Sequence, residues 1–247
     1  MYDIATRIRT LSLLDEGRSM NSVSKETGIS RAAIRSWQKR LDPLVNQAAS
    51  CAPPTDTASY SYLLGLYLGD GYISQPANHR VPSMRITCDD KWPGLMNCAE
   101  QSMRQVFPSN RVCRARKAGC HDVKVHSKHL TCLFPQHGPG KKHERRIILE
   151  DWQQAIVDAH PWEFIRGLIH SDGCRITNWT VRNGKRYEYP RYFFTNKSDD
   201  IRKLCTDTLA KVGVQWTILA RGSDPFNVSI ARKASVALMD EHIGPKY

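Results

Sequence analysis

Two ten-residue stretches decide the fold: YLLGLYLGDG at residues 62–71 and FIRGLIHSDG at residues 164–173. Each is an apolar run that ends in Asp-Gly and carries two small residues four positions apart. Residues with that spacing share one face of a helix, and small residues there allow a second backbone to approach closely. We therefore expect the two stretches to form helices that pack on each other through Gly65, Gly69, Gly167 and Ser171.

The two stretches belong to a longer repeat. Asp70 and Asp172 are separated by 172 − 70 = 102 residues, and later pairs keep nearly that offset: Gly119 with Gly222 (103), Val125 with Val228 (103) and Lys141 with Lys246 (105). A shared offset in the same order indicates a tandem duplication. Each half, about 60–145 and about 160–247, has the pattern of helix, two strands, helix, two strands, helix. This predicts an α+β fold with pseudo-twofold symmetry.

Packed motif helices would place Asp70 and Asp172 side by side at two helix C-termini, each followed by a glycine that lets the chain turn away. Helix dipoles and mutual repulsion disfavour two carboxylates there, so the arrangement needs a proton or a cation. Mg²⁺, held by one or two carboxylates and by substrate phosphate oxygens, meets that need.

The charge balance favours a polyanionic partner. There are 36 Lys and Arg residues against 24 Asp and Glu, a formal charge of +12, and the apolar content of 40% can fill a globular core. The longest strongly apolar stretch, residues 60–68, is far shorter than the roughly 20 residues of a membrane span. No secretory signal is visible at the start of the sequence. We therefore expect a cytoplasmic protein, associated with the nucleoid, that binds nucleic acid and not a membrane.

The first 41 residues indicate a small all-α domain of three helices. The second helix (residues 21–27), the turn Gly28-Ile29-Ser30 and a third helix (residues 31–40) are typical of a helix-turn-helix, with Ser30 as N-cap. The motif resembles the homeodomain-like helix-turn-helix of transposases and regulators, and a plain interaction module is the alternative. Residues 42–59 contain three prolines and no periodicity, which predicts a linker. The side chains expected to face DNA are Arg31, Arg35, Gln38 and Lys39.

The eight cysteines form no C-x-x-C pair, and in a reducing compartment free thiols are expected. A zinc site is the alternative for one cluster, although its spacing matches no familiar pattern. Its members are Cys113, Cys120, His121, His126, His129 and Cys132.

Residues 63–71 and 165–173 resemble the two LAGLIDADG motifs of monomeric homing endonucleases, and the repeat over 60–247 is similar to theirs. The resemblance implies a monomer whose antiparallel strands lie on duplex DNA and that cuts both strands with divalent metal. It assigns Asp70 and Asp172 to the metals, with Gly69 and Ser171 beside them in the same sites. It also implies a basic residue after the last helix of each repeat, which is Lys141 or Lys142 in the first half and Lys246 in the second; we assign Lys141 and Lys246 as catalytic.

The resemblance further implies a polar residue on the second strand that organises water, for which Arg85 is suitable, whereas its counterpart near Phe193 is apolar. Basic strand residues are expected to contact the DNA backbone, the alternative being ordinary solvated charge. They are Arg85, Arg114, Arg116, Lys124, Arg175, Arg182, Arg186 and Arg191.

Two functions are compatible with these features. The first is a Mg²⁺-dependent site-specific endonuclease. The second is a DNA-binding transcriptional regulator built on a degenerate LAGLIDADG domain. Departures from the motif favour degeneration. The sixth motif positions are Leu68 and His170 where an acid is usual, although the chemistry does not require one, and Arg166 lies within a helix expected to be packed unless it points outward. The sequence also stops at Tyr247, directly after Lys246, so the second basic site is expected to be incomplete.

Overall fold

The computed structural model describes residues 4–38, 53–75, 81–221 and 224–247. The chain forms two compact units, Met1–Ala52 and Pro53–Tyr247. The first unit contains helices α1 (Ile4–Asp15), α2 (Met20–Thr27) and α3 (31–38).

A small core holds the first unit together. Val23, Ile29, Ile34 and Trp37 are buried, and leucines of α1 pack against them. The turn between α2 and α3 is formed by Gly28 in the left-handed conformation (φ 68°), a geometry that favours glycine. The Oγ of Ser30 accepts a hydrogen bond from the amide of Ala33 at 3.3 Å, as an N-cap of α3 does. The last two residues of the predicted third helix, including Lys39, lie outside the described residues.

The second unit is α+β, as predicted, and repeats one order of elements. The first half comprises α4 (Thr57–Gly69), β1 (Gly71–Ser74), β2 (Ser83–Asp89), α5 (Pro93–Val106), β3 (Val112–Lys117), β4 (Cys120–His126) and α6 (Leu130–Leu133). The second half comprises α8 (Pro161–Asp172), β5 (Gly173–Arg182), β6 (Lys185–Thr195), α9 (Asp199–Lys211), β7 (Thr217–Arg221), β8 (Asp224–Ile230) and α10 (Lys233–His242).

Three elements depart from the sequence expectation. The connection between the halves contains a 3-10 turn (Lys142–Glu144) and helix α7 (Asp151–Ala159), neither of which was predicted. Helix α4 begins at Thr57, inside the predicted linker of residues 42–59, because Asp56 caps it by accepting from the amide of Ser59 at 2.8 Å.

The two halves have sheets of the same topology. Both are antiparallel and four-stranded, with strand orders β1-β2-β4-β3 and β5-β6-β8-β7. Gly71 pairs with Ile86 in the first sheet and Gly173 with Phe194 in the second. The two glycines are 102 residues apart in sequence, whereas their partners Ile86 and Phe194 are 194 − 86 = 108 residues apart. The β5–β6 hairpin is therefore six residues longer than the β1–β2 hairpin.

The strand register also corrects one match of the repeat. Val123 pairs with Ile86, and Val228 pairs with Phe194. Since Ile86 and Phe194 are equivalent, Val228 corresponds to Val123 and not to Val125. The offset between equivalent residues therefore varies from 102 at the motif acids to 108 at Ile86 and Phe194 and 105 at Val123 and Val228, because the halves differ in hairpin length.

Helices α4 and α8 pack backbone to backbone. A Cβ added to Gly65 would lie 2.5 Å from the carbonyl oxygen of Phe164 and 2.9 Å from the Cα of Gly167. A Cβ on Gly167 would in turn lie 2.9 Å from the Cα of Gly65. Real side chains do not fit at such distances, so glycine at both positions permits the contact.

Each sheet has one face covered by helices and one open face. On β2 the buried residues Met84, Ile86 and Cys88 alternate with Arg85 and Thr87. The helices lie on the side of the buried residues, since Arg114, which shares that face, contacts side chains of α5. We use the term open face for the opposite side of each sheet.

Six described cysteines are free thiols: Cys88, Cys98, Cys113, Cys120, Cys174 and Cys205. Cys132 forms a disulfide, so the expectation of free thiols is wrong there. Among the described residues no group of three or more His, Cys, Asp or Glu side chains could hold a metal, which leaves the zinc alternative without support. Within the same residues, no helix has the length and apolar character needed to cross a membrane.

Candidate active site

The two motif acids lie at the ends of the paired helices. Asp70 follows the last residue of α4, and Asp172 is the last residue of α8. The glycines after them start β1 and β5. A Cβ on Gly71 would lie 2.8 Å from the carbonyl oxygen of Tyr67, and one on Gly173 would lie 2.7 Å from the Cα of Ile169. The chain thus turns back tightly against its own helix directly after each acid.

The acids are close enough to affect each other. A Cβ on Gly69 would lie 3.2 Å from the carboxyl carbon of Asp172. Burial raises the pKa of Asp172 to about 6, and the next largest cause is the negative charge of Asp70. Burial also raises the pKa of Asp70, against the opposing effects of Lys246 and Lys142. The helix ends therefore hold two partly desolvated carboxyl groups that favour a cation or a proton.

Lys142 lies at the end of α4. Its ammonium donates to the carbonyl oxygens of Tyr67, Leu68 (3.1 Å) and Gly69 (2.7 Å), which the helix leaves without internal partners. Burial lowers the pKa of Lys142 to about 8, although Asp172 and Asp70 oppose that shift. Lys142 thus caps α4 and places a positive charge beside both acids.

Lys246 has the same position in the second half. Its ammonium donates to the carbonyl oxygen of Ser171 at 2.8 Å. Burial lowers its pKa, while Asp70 and Asp172 are among the groups that raise it. The site therefore contains two carboxyl groups and two amines.

The assignment of Lys141 to the site is corrected to its neighbour Lys142. The side chain of Lys141 is 72% exposed, and its ammonium lies 3.3 Å from Glu144. Lys141 precedes the 3-10 turn and Lys142 begins it. Consecutive side chains there point in different directions, so only Lys142 reaches the end of α4.

Asn196 is a site residue that the sequence did not suggest. Its amide nitrogen donates to Asp172 Oδ2 at 2.5 Å. Counting from the equivalent residues Ile86 and Phe194, the first-half counterpart of Asn196 is Cys88, which is buried. Burial and then the charge of Asp70 raise the pKa of the Cys88 thiol. The two acids therefore have different neighbours, and no periodicity or spacing in the sequence identifies Asn196.

His170 and Arg166 occupy the helix interface without facing the acids. The Nδ1 of His170 lies 2.9 Å from the hydroxyl of Tyr62, and burial lowers the pKa of His170 to about 4. The guanidinium of Arg166 lies over the ring of Tyr62 at 4.8 Å. Both are accommodated by one tyrosine of the opposite helix, so neither prevents helix packing.

The donor set is compatible with a hard divalent cation such as Mg²⁺. Asp70 and Asp172 supply carboxylate oxygens, and Gly69 and Ser171 supply carbonyl oxygens, although both carbonyls accept hydrogen bonds from lysines. Since the described residues offer no third acidic or imidazole ligand, water and phosphate oxygens would complete the coordination.

Four of the predicted DNA-contacting residues lie on the open faces of the sheets. Arg85 pairs with Lys124 across β2 and β4, and its guanidinium lies 4.6 Å from the ring centre of Tyr72, which pairs with it from β1. In the second half Arg191 and Arg182 are on the equivalent face of the β5–β6 hairpin, together with Phe193. Cationic side chains and aromatic rings therefore share these faces.

The other four predicted residues lie on the helix side of their sheets. Arg114 donates to Glu100 at 2.6 Å and to Asn97 at 2.7 Å on α5. Arg175 donates to both carboxylate oxygens of Asp240 on α10 at 2.6 and 2.8 Å. The register places Arg116 on the face of Arg114 and Arg186 on the face of Arg175. Arg114 and Arg175 therefore bind helices, and all four arginines lie outside the open faces.

A buried acid lies under the open face of the first sheet. Asp122 is fully buried, and its carboxylate accepts from Thr87 at 2.8 Å and lies 2.7 Å from the ammonium of Lys117 and 3.3 Å from that of Lys124. Hydrogen bonds from Lys117, Thr87 and Lys124 together outweigh burial and lower the pKa of Asp122. Neither Asp122 nor Lys117 was among the residues predicted from the sequence.

In the first unit the side chains expected to face DNA are exposed along α3. Arg31, Arg35 and Gln38 are all exposed. Arg31 donates to Asn21 of α2 at 2.9 Å.

The fold is similar to that of solved LAGLIDADG homing endonucleases, which confirms the resemblance at the level of fold. I-DmoI in complex with DNA and Mn superposes with a TM-score of 0.50 at 17% identity, over 77% of this chain and 98% of that chain. A variant of I-DmoI in complex with its target DNA in the presence of Mg gives a TM-score of 0.51 at 18% identity, over 76% and 96% of the chains. The N-terminal LAGLIDADG domain of WhiA gives a TM-score of 0.47 at 12% identity, over 80% and 88%.

At these identities the similarity shows the fold alone. No protein-family model matches the chain, and no curated protein matches its sequence.

Proposed function

We propose that this protein is a site-specific endonuclease that hydrolyses both strands of duplex DNA with Mg²⁺. The observation that carries the proposal is the meeting of Asp70 and Asp172 at the ends of two helices in backbone contact, where burial and then the charge of Asp70 raise the pKa of Asp172. Paired carboxylates of this kind hold metals that act on phosphate groups.

The basic side chains of the open faces support DNA as substrate. The open faces carry Arg85, Lys124, Arg182 and Arg191, and the formal charge of the chain is +12. Phosphate contacts supply much of the affinity of such proteins for DNA. I-DmoI, which has the same fold, was solved with DNA and with Mn or Mg.

Each group of the site has a distinct role in the proposal. Asp70 and Asp172, with the carbonyls of Gly69 and Ser171, hold the metal, which stabilises charge on the phosphate and activates water when bound. Lys142 and Lys246 supply positive charge beside the acids, and Asn196 fixes the orientation of the Asp172 carboxylate. Because one chain provides both acids, a monomer suffices.

We also propose that the first unit is a helix-turn-helix that contacts DNA through α3, as a separate domain joined by a linker. Its support is the buried core beneath α3, the left-handed turn at Gly28 and the exposed Arg31, Arg35 and Gln38. A protein with these activities is expected at the nucleoid in the cytoplasm.

The decisive test is a pair of isosteric substitutions, Asp70→Asn and Asp172→Asn. Either should abolish Mg²⁺-dependent double-strand cleavage of a selected target and leave DNA affinity within a few-fold, because neither acid is on an open face. Asp207→Asn, which removes a surface acid paired with Lys203, is the matched control and should cleave normally. Cleavage that survives both site substitutions contradicts the proposal.

One observation favours the second candidate, a DNA-binding regulator without cleavage. Gly69 and Ser171 present their carbonyl oxygens to Lys142 and Lys246, so the two acids already have two cationic neighbours. Incubation with a randomised duplex library, with and without Mg²⁺, separates the candidates. The regulator predicts enrichment of a bound sequence without new DNA ends, and the nuclease predicts new ends that depend on Mg²⁺.

A further inference from the structure

Tyr247, the residue after Lys246, contacts the first half of the second unit. Its backbone carbonyl oxygen accepts a hydrogen bond from the amide of Leu95 at 3.2 Å. Leu95 lies in the first turn of α5, where amides have no partner within the helix. The N-cap residue of α5, Trp92, makes no side-chain capping bond. The carbonyl of Tyr247 thus provides an acceptor that the local sequence of α5 does not.

Gly94 makes room for this contact. It is the second residue of α5, and its φ lies outside the left-handed region, so its backbone conformation does not require glycine. A Cβ at Gly94 would run into the ring of Tyr247 and would lie 2.8 Å from the Tyr247 carbonyl oxygen. The hydroxyl of Tyr247 lies 3.6 Å from the Sγ of Cys98, one turn further along α5. The contact with Tyr247 therefore explains why position 94 is a glycine.

Lys246 lies between two fixed points of the chain. Upstream, Gly244 follows the end of α10; it has a left-handed φ of 70° and donates to the carbonyl of Met239 at 3.1 Å. Pro245 follows and restricts the backbone. Downstream, Tyr247 is held on α5. Between them the Lys246 ammonium reaches the carbonyl oxygen of Ser171 at the end of α8.

We infer that Tyr247 is a positioning residue: its docking on Gly94 and Leu95 of the first half holds the Lys246 ammonium against the end of α8 in the second half, beside both acids. The two lysines of the site are then supported separately. Lys142 is close to Arg145, which donates to the carbonyls of Gln136, Gly138 and Gly140 and so holds the loop before Lys142. The consequence for cleavage rests on the proposed function, whereas the position of Lys246 can be measured without it.

The first experiment measures the accessibility of Lys246 in the full chain. Gly94→Ala should displace Tyr247 and leave the Lys246 amine free in solvent. Limited acetylation by an amine-reactive ester, quantified by mass spectrometry, should then label Lys246 several-fold faster than in the unmodified protein. Labelling of Lys142 should be unchanged and provides the internal reference. Equal labelling of Lys246 in the two proteins overturns the inference.

Two further variants separate docking from a general loss of structure. Tyr247→Phe keeps the ring and the carbonyl and loses only the hydroxyl near Cys98, so Lys246 should stay as protected as in the unmodified protein. Tyr247→Ala removes the ring and should expose Lys246 even if Gly94→Ala fails to fold. Protection of Lys246 in Tyr247→Ala, or its exposure in Tyr247→Phe, contradicts the role of the ring.

Plasmid cleavage gives the second measurement. In Gly94→Ala only Lys246 loses its support, so cleavage of one of the two strands should slow and nicked circular DNA should accumulate. Tyr247→Phe should give linear DNA at the normal rate. Equal slowing of both cuts overturns the separate support of the two lysines. If the unmodified protein does not cleave, the proposed function fails, and the labelling result still decides the position of Lys246.

Discussion

The pKa of Asp172 is the clearest consequence of the site at the scale of single residues. An ordinary Asp carboxyl titrates near pH 3.8, and burial and Asp70 raise that of Asp172 to about 6. A group whose pKa is raised on folding binds more protons in the folded state between those two values. Its contribution to stability therefore falls as the pH rises from about 4 to about 6, and at neutral pH the ionised carboxylate destabilises the metal-free fold.

This predicts that Asp172→Asn stabilises the metal-free protein at pH 7.5. The expected gain in the free energy of unfolding is about 2 kcal/mol, from a pKa shift of roughly two units, and it should vanish below about pH 4. Urea unfolding in the presence of a chelator, at pH 4 and at pH 7.5, measures it. Asp207→Asn on the exposed side of α9 is the control and should change little. A variant less stable than the unmodified protein at pH 7.5 would show that Asp172 is not destabilising.

At the scale of secondary-structure elements, the contact of α4 with α8 depends on glycine. Gly→Ala in a helix ordinarily stabilises by about 0.5–1 kcal/mol. At Gly65 the added methyl would meet backbone atoms of Phe164 and Leu168 at 2.5 and 2.8 Å, and a backbone cannot swing aside as a side chain can.

Gly65→Ala should therefore lower the free energy of unfolding by about 2 kcal/mol or more, through overpacking. Thermal and urea unfolding measure the loss. Gly138→Ala is the matched control, because its methyl would contact only the Arg145 side chain at 3.7 Å. Unfolding of Gly65→Ala at the same midpoint as the unmodified protein would show that α4 and α8 are not in backbone contact.

The faces of the strands give a second prediction at this scale. Arg191→Gln removes a cation from an open face, so it should weaken DNA binding and lower the slope of log affinity against log salt by about one. Arg114→Gln removes a cation from the same domain but on the helix side. It should leave that slope unchanged and cost about 0.5–1 kcal/mol of stability by losing its bonds to α5.

Salt-dependent titrations with a duplex target measure both variants. An Arg114→Gln variant whose salt slope falls as far as that of Arg191→Gln would place DNA on the helix side and overturn the assignment of the open faces.

At the scale of the whole molecule, the two halves of the second unit share a topology and differ in detail. The β5–β6 hairpin is longer than the β1–β2 hairpin, and Asn196 stands where the first half has Cys88. On the open face Thr87 donates to Asp122 beside two lysines, whereas at the equivalent positions Thr195 donates to Asn227. Asp122 therefore lies in the first half, where it partly neutralises Lys117 and Lys124.

The division of the chain into two compact units predicts separable roles. A fragment of residues 53–247 contains the whole second core and both acids, so it should fold and retain Mg²⁺-dependent cleavage. Loss of the first unit should weaken DNA binding about tenfold or more, because two linked modules bind more tightly than one. Arg35→Ala in the full chain should reproduce part of that loss. Undiminished DNA affinity of the fragment would contradict a DNA-binding role for the first unit.

The sequence by itself determined the duplication, the α+β class, the packing helices and the position of both acids at their ends. These features follow from local sequence patterns: small residues four positions apart, the periodic spacing of apolar residues, and Asp-Gly after a helix. It also predicted two pairs of strands in each half, because the alternation of apolar and polar residues is local. Helix α7 and the 3-10 turn were not predicted, since the connection between the halves has no repeat counterpart to define it.

Only the tertiary structure decided which basic residues reach the site and which face of each strand is open. Arg114 and Arg116 share a strand face with the single apolar residue Val112, so alternation within β3 does not identify the face that packs on the core. That face is identified by the bonds from Arg114 to Glu100 and Asn97 of α5. Lys142 and Lys246 come from segments distant in sequence from the helix ends that they cap. Such choices depend on which elements pack together, and the pattern within one element contains no information about its neighbour.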